Sequence, residues 1–123
     1  MLRYLKYFGA TFGLLASLVV SAPALAHAFP VKSSPKVGST LAVAPKQVSI
    51  WFDADLNALF SKITVESAAG QVVSTGGSHM AAGNPRLLTT AVKPLAAGQY
   101  WVQWSVVARD GHHTEGKFPF AVK

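Results

Sequence analysis

The chain contains no cysteine in its 123 residues. That absence excludes a disulfide framework and every thiolate metal site. Methionine occurs only at Met1 and Met80, so a methionine-rich pocket for a soft cation such as Cu(I) is not available. Dense charge is also missing. Eleven Lys and Arg against five Asp and Glu give +6 with His neutral; without Arg3 and Lys6 the balance is nine to five, or +4. No Lys/Arg cluster of the kind nucleic-acid binding needs is present, so the excess reads as solubility with weak attraction to anionic surfaces. No apolar run is long enough to span a membrane: Phe8 to Val20 is interrupted by Ser21 and Pro23, and a spanning helix needs roughly 20 apolar residues.

That short run has the layout of an export signal instead. Arg3 and Lys6 form a basic beginning, Phe8–Val20 an apolar middle, and Ala24-Leu25-Ala26 a small-x-small cleavage site. Residues 1–26 are therefore predicted to be a cleaved signal peptide of bacterial style, and residues 27–123 one mature domain delivered to the periplasm or beyond the cell. Without disulfides, a domain of this size must stand on its hydrophobic core.

The mature chain is patterned for strands. His27-Ala28-Phe29-Pro30-Val31 can enter a first edge strand, and Ser34-Pro35-Lys36-Val37-Gly38 reads as a turn. Gln47–Phe52 alternates with period two until Asp53-Ala54-Asp55 breaks the run. Ile63–Ser67 and Gln71–Ser74 flank Ala69-Gly70 as a hairpin. Gly76–Pro85, with His79-Met80, reads as a loop, and Arg86–Val92 as another strand. Leu95-x-x-Gly98-x-Tyr100 fits a tyrosine corner, in which the phenol bonds back to the preceding backbone. In the longest strand, Gln99–Ala108, Tyr100, Val102, Trp104 and Val106 share one face. Gly116–Val122 closes the chain with Phe118, Phe120 and Val122 inward, and Pro119 must turn its nitrogen away from a partner strand. About seven short strands and no convincing mature helix predict an all-β fold, an antiparallel sandwich.

The chemistry gathers at Ala108-Arg109-Asp110-Gly111-His112-His113. Asp110 and His112 are spaced i, i+2, so an extended backbone carries both to one side, continuing the inward face of the long strand at its lip. Cleavage after Ala26 would make His27 the first residue, offering its α-amine and ring Nδ1 as a chelate. Together with His112 and the Asp110 carboxylate this is a three-nitrogen, one-oxygen set. Such a set suits tetragonal Cu(II); Zn(II) would accept the same donors but prefers a tetrahedron. The plainer readings are that Asp110-Gly111 is a turn satisfying its own backbone and that the histidines are solvated. His113 should point the other way and not ligate. His79-Met80 reads as flexible loop, and Trp51, Trp101 and Trp104 as packing.

The sequence resembles the CopC family of periplasmic copper-binding, copper-resistance proteins. The resemblance rests on Ala26-His27-Ala28, Ser34-Pro35 with Gly38, Pro45-x-x-Val48-x-Ile50-x-Phe52, Leu95-x-x-Gly98-x-Tyr100-x-Val102-x-Trp104, Val107-Ala108-x-Asp110-Gly111-His112 and Gly116-x-Phe118-x-Phe120-x-Val122. It implies an immunoglobulin-like Greek-key β-sandwich or barrel. It also implies one Cu(II) per chain, held by His27 through amine and ring with Asp110 and His112. It implies a non-catalytic carrier or buffer in copper homeostasis and resistance, passing copper to an inner-membrane copper transport protein of the CopD type. A monomer without nucleic-acid partners is expected. Family members place a Glu near the N-terminal His where this chain has Ala54, leaving Asp53 or Asp55 as substitutes. Two other functions fit parts of the pattern. One is a histidine-brace copper enzyme acting on polysaccharide, which needs an open coordination position. The other is a metal-free immunoglobulin-like interaction module.

Overall fold

The computed structural model describes residues 27–123; the expected signal peptide, residues 1–26, lies outside the described residues. Eight strands follow in order: β1 (Pro30–Ser34), β2 (Thr40–Leu41), β3 (Gln47–Phe52), β4 (Lys62–Ser67), β5 (Ser74–Met80), β6 (Leu87–Val92), β7 (Gly98–Val107) and β8 (His113–Val122). A single 3-10 turn, Ala58–Phe60, precedes β4. The strands form two four-stranded sheets, ordered β1-β3-β6-β5 and β2-β8-β7-β4. Only the β2–β8 pairing is parallel. The chain changes sheet at almost every connection, and only β5–β6 and β7–β8 are joined as neighbours within one sheet.

The two inner faces are those the period-two pattern selects. Val48, Ile50 and Phe52 of β3, Tyr100, Val102, Trp104 and Val106 of β7, and Phe118, Phe120 and Val122 of β8 are all buried. They pack with Ile63, Val65 and Leu88 into one core. Tyr100 stacks on Phe120 at 5.4 Å, and its hydroxyl donates to Ala96 O at 2.6 Å, as the tyrosine corner predicts. Pro119 lies opposite Trp101, and its carbonyl accepts from Gly38 N at 2.8 Å on the side of β2. A strand residue turns its nitrogen and carbonyl to the same side. The missing donor therefore faces the gap beyond the two residues of β2, where no ladder asks for it.

Three expectations are corrected. Gln71–Ser74 is not a full partner of β4: the turn makes one isolated bridge, Glu66 to Val72, and the chain then crosses to the other sheet. The segment expected to be a loop contains β5, which pairs with β6 through an irregularity between Thr75 and Ser78. Gly76 and Gly77 sit there at φ 73° and 70°, a left-handed geometry that glycine accepts without strain. Serine serves this edge better than an apolar residue would. Ser78 Oγ accepts from Ile63 N at 2.7 Å and donates to Ile63 O at 3.0 Å, and Ser74 Oγ accepts from Val65 N at 3.1 Å. These hydroxyls satisfy the open edge of β4 and close that side of the sandwich. Finally, β8 starts at His113 rather than Gly116, because the β7–β8 ladder continues to Val107 opposite His113.

Candidate metal centre

One end of the sandwich is built from the start of β1, the end of β3 and the β7–β8 turn, where Pro30 faces Phe52 and Val107 faces His113. The turn is tight: Gly111 N donates to Ala108 O and Ala108 N to His112 O, each at 2.9 Å, with Gly111 at φ 91°. Within it, Asp110 Oδ1 accepts from His112 N at 3.0 Å, and Asp110 Oδ2 lies 2.6 Å from His112 Nδ1. An ionised carboxylate only accepts, so Nδ1 carries a proton in this bond, and in the neutral ring Nε2 then keeps its lone pair for another partner. The backbone N–H of His112 and then the bond to its ring hold the Asp110 carboxyl below the usual carboxylate range, against a small opposing effect of desolvation. The imidazoles of His112 and His27 add to the lowering. Asp110 therefore serves its own turn, as the plain reading supposed, and orients His112 as well.

Residues 27–29 arrive from the other sheet. Ala28 is fully buried and belongs to the core. Its carbonyl accepts from Thr114 Oγ1 at 2.6 Å. Phe29 is bound twice to Asp53, N–H to Oδ1 at 2.8 Å and carbonyl to the Asp53 N–H at 3.0 Å. His27 overhangs this anchored pair, and its ring lies 4.6 Å from that of His112 at 57°. The two histidines are 85 positions apart in sequence.

His27, His112 and Asp110 thus form a chain of neighbours in which the carboxylate is turned onto His112. Among the described residues no three His, Asp or Glu side chains already surround a common point. A carboxylate oxygen that now bonds Nδ1 would have to turn or share its lone pairs to become a ligand. Thr114 was not singled out in the sequence. It shares the inward parity of Phe118 and Phe120, and a polar residue at that parity near the mouth of the strand was the available signal.

A family model for the CopC domain matches residues 30–123. This chain belongs to the CopC family. The copper resistance protein C of Pseudomonas syringae pv. tomato is 35% identical over 114 residues, covering 88% of this chain and 90% of its own length. The copper transport protein CutJ of Bacillus subtilis (strain 168) is 36% identical over 98 residues, or 79% of this chain. This chain spans only 18% of CutJ. The crystal structure of CopC from Methylosinus trichosporium OB3b matches with a TM-score of 0.74 at 35% identity, covering 79% of this chain and 94% of that one. PcoC from Escherichia coli, a methionine-rich copper resistance protein, matches with a TM-score of 0.70 at 26% identity, covering 79% and 99%. The immunoglobulin-like sandwich expected of a CopC chain is the fold observed.

The other residues of this CopC domain that the sequence offered lie apart from this pair of rings. Asp55 pairs with Arg86 Nε at 2.9 Å and Arg109 Nη1 at 3.2 Å, while Asp53 bonds the Phe29 backbone. Both carboxylates are accounted for by partners other than the His27 ring, and Ala54 packs against the core. His113 faces away, bonding Ser105 Oγ at 2.8 Å. His79 lies in β5 opposite Thr89, and Met80 packs against the core. Trp104 packs edge-on to Phe52 at 5.7 Å, while Trp51 and Trp101 lie under Lys32 and Lys117.

Proposed function

We propose that this chain is a periplasmic copper-binding protein that carries or buffers Cu(II), one ion per chain, in copper homeostasis and resistance. Signal-peptide cleavage after Ala26 frees the His27 amine. That amine and the His27 ring form a chelate, His112 adds Nε2, and Asp110 adds an oxygen by turning from its present bond. The observation that carries this reading is the approach of the His27 and His112 rings to 4.6 Å at the exposed end of the sandwich, with Asp110 fixed on His112. Family membership and the copper proteins among its relatives support the cargo. CutJ, in which such a domain is a small part of a longer copper transport protein, supports transfer to a membrane transport protein of the CopD type.

The test is a Cu(II) titration followed by EPR on two versions of the mature protein. One begins at His27; the other carries one extra residue, which turns the amine into an amide. The authentic form is expected to bind one Cu(II) tightly with a tetragonal, nitrogen-rich spectrum, and the extended form to lose that spectrum. Equal binding by both would remove the amine from the site, and binding by neither would end the copper reading.

A further inference from the structure

We propose that Thr114 and Asp53 are positioning residues that hold the mature N-terminus in register with His112, so that the chelate is preset before metal arrives. This rests on the copper reading above.

An N-terminal residue is ordinarily a poor ligand to build on, because chain ends fray unless they are tied down. Here residues 28 and 29 are tied at four points. The Ala28 methyl is buried in the core, its carbonyl takes the Thr114 hydroxyl at 2.6 Å, and both backbone groups of Phe29 are held by Asp53 at 2.8 and 3.0 Å. The next α-carbon is about 3.8 Å away along the chain, so only the backbone dihedrals at that one junction and the two side-chain torsions of His27 remain to place the amine and ring. Thr114 also lies two residues after His112 on the same stretch of chain. The tether therefore references one half of the donor set directly to the strand that carries the other half. Asp53 does the same from the end of β3. Each acts through the backbone of Ala28 or Phe29. Removing such an orienting partner in a metal site typically lowers affinity about 10- to 100-fold.

The experiment uses the mature chain beginning at His27 and three variants: Thr114→Val, Thr114→Ser and Asp53→Ala. Cu(II) affinity is read by competition titration, site structure by EPR, and the metal-free geometry by NMR contacts between the His27 and His112 ring protons. Thr114→Val and Asp53→Ala are expected to raise the dissociation constant about 10- to 100-fold, broaden the EPR spectrum into more than one species and weaken the ring contact without metal. Thr114→Ser keeps the hydroxyl and is expected to restore all three. Asp53 is exposed, so Asp53→Ala remains informative if Thr114→Val folds poorly. Wild-type affinity and ring contact in both Thr114→Val and Asp53→Ala would overturn the positioning role while leaving the copper site standing. A wild-type chain that binds no Cu(II) would overturn both.

Discussion

Gly116→Ala tests how closely β7 and β8 are packed above the core. Replacing glycine in a strand ordinarily gains about 0.5–1 kcal/mol, because glycine loses the most conformational freedom on folding. At this position the sign should reverse. Gly116 lies directly opposite Trp104, and a Cβ there would meet Trp104 Cζ2 at 2.6 Å, Cε2 at 2.9 Å and Nε1 at 3.1 Å. The indole is only 9% exposed and leans on Phe52, so it has no free direction in which to retreat. Overpacking of this kind costs about 1–3 kcal/mol. Set against the backbone gain, the net loss is at most about 2.5 kcal/mol, and a 2.6 Å approach to a buried ring places it in the upper part of that range, about 1–2 kcal/mol. For a domain of this size that lowers the melting temperature by about 5–15 °C. Thermal unfolding of the mature protein, followed by circular dichroism and tryptophan fluorescence, reads it. Trp104→Phe should relieve the clash, making the pair of changes strongly non-additive. A Gly116→Ala protein as stable as wild type would refute the steric argument.

Two further outcomes follow from the geometry. Ser49 and Thr89 are buried side by side with their hydroxyls 3.0 Å apart; Thr89→Val should cost about 1–3 kcal/mol by stranding the Ser49 hydroxyl. The double change Ser49→Ala, Thr89→Val should be close to neutral by denaturant unfolding. Copper affinity should fall as pH drops, because protons compete for the amine and imidazole donors. Asp110 is held below its usual value, so its favourable contribution is present above the ordinary carboxylate pKa and is lost only as pH falls through the lowered one. A competition titration from pH 8 to 5 should therefore show a loss that comes from the nitrogen donors, with Asp110 still ionised throughout.

The parts of this fold that were legible are those governed by local period. β7 and the body of β8 alternate as read, and in β3 the apolar set Val48, Ile50 and Phe52 is buried as the alternation names, while Ser49 on the other face is buried as well, against Thr89. The contact between Asp110 and His112 has another cause: the backbone does not run on extended past β7 but closes a tight turn with Gly111 at φ 91°, and the turn brings the carboxylate onto the ring. β5 was hidden because its work is done by glycine and serine: a bulge at Gly76-Gly77 and hydroxyls that cap the edge of β4. Neither gives an apolar period. β2 was hidden because two residues paired parallel to β8 leave no pattern at all. The approach of His27 to His112 was not readable from spacing, since the chain changes sheets repeatedly between them; it came from the resemblance. Asp53 and Asp55 were weighed as acceptors for the His27 ring, and both carboxylates are committed elsewhere.

The arrangement of residues 27–29 separates folding from processing. Among the described residues, the hydrogen bonds that anchor the segment use atoms of Ala28 or Phe29, and none of these requires a free amine. A chain still joined to Ala26 can therefore dock this segment and bring His27 to His112, yet its His27 nitrogen is an amide and a poor donor. With cleavage after Ala26, as proposed, one ligand is added to a geometry already in place. The gain is large because a preset chelate pays little ordering entropy when the ion binds. The one-residue extension that abolishes the amine should accordingly leave melting temperature and the His27–His112 ring contact almost unchanged while removing tight copper binding. Loss of the ring contact in that extended chain would mean that the free terminus itself shapes the site, and the separation argued here would fail.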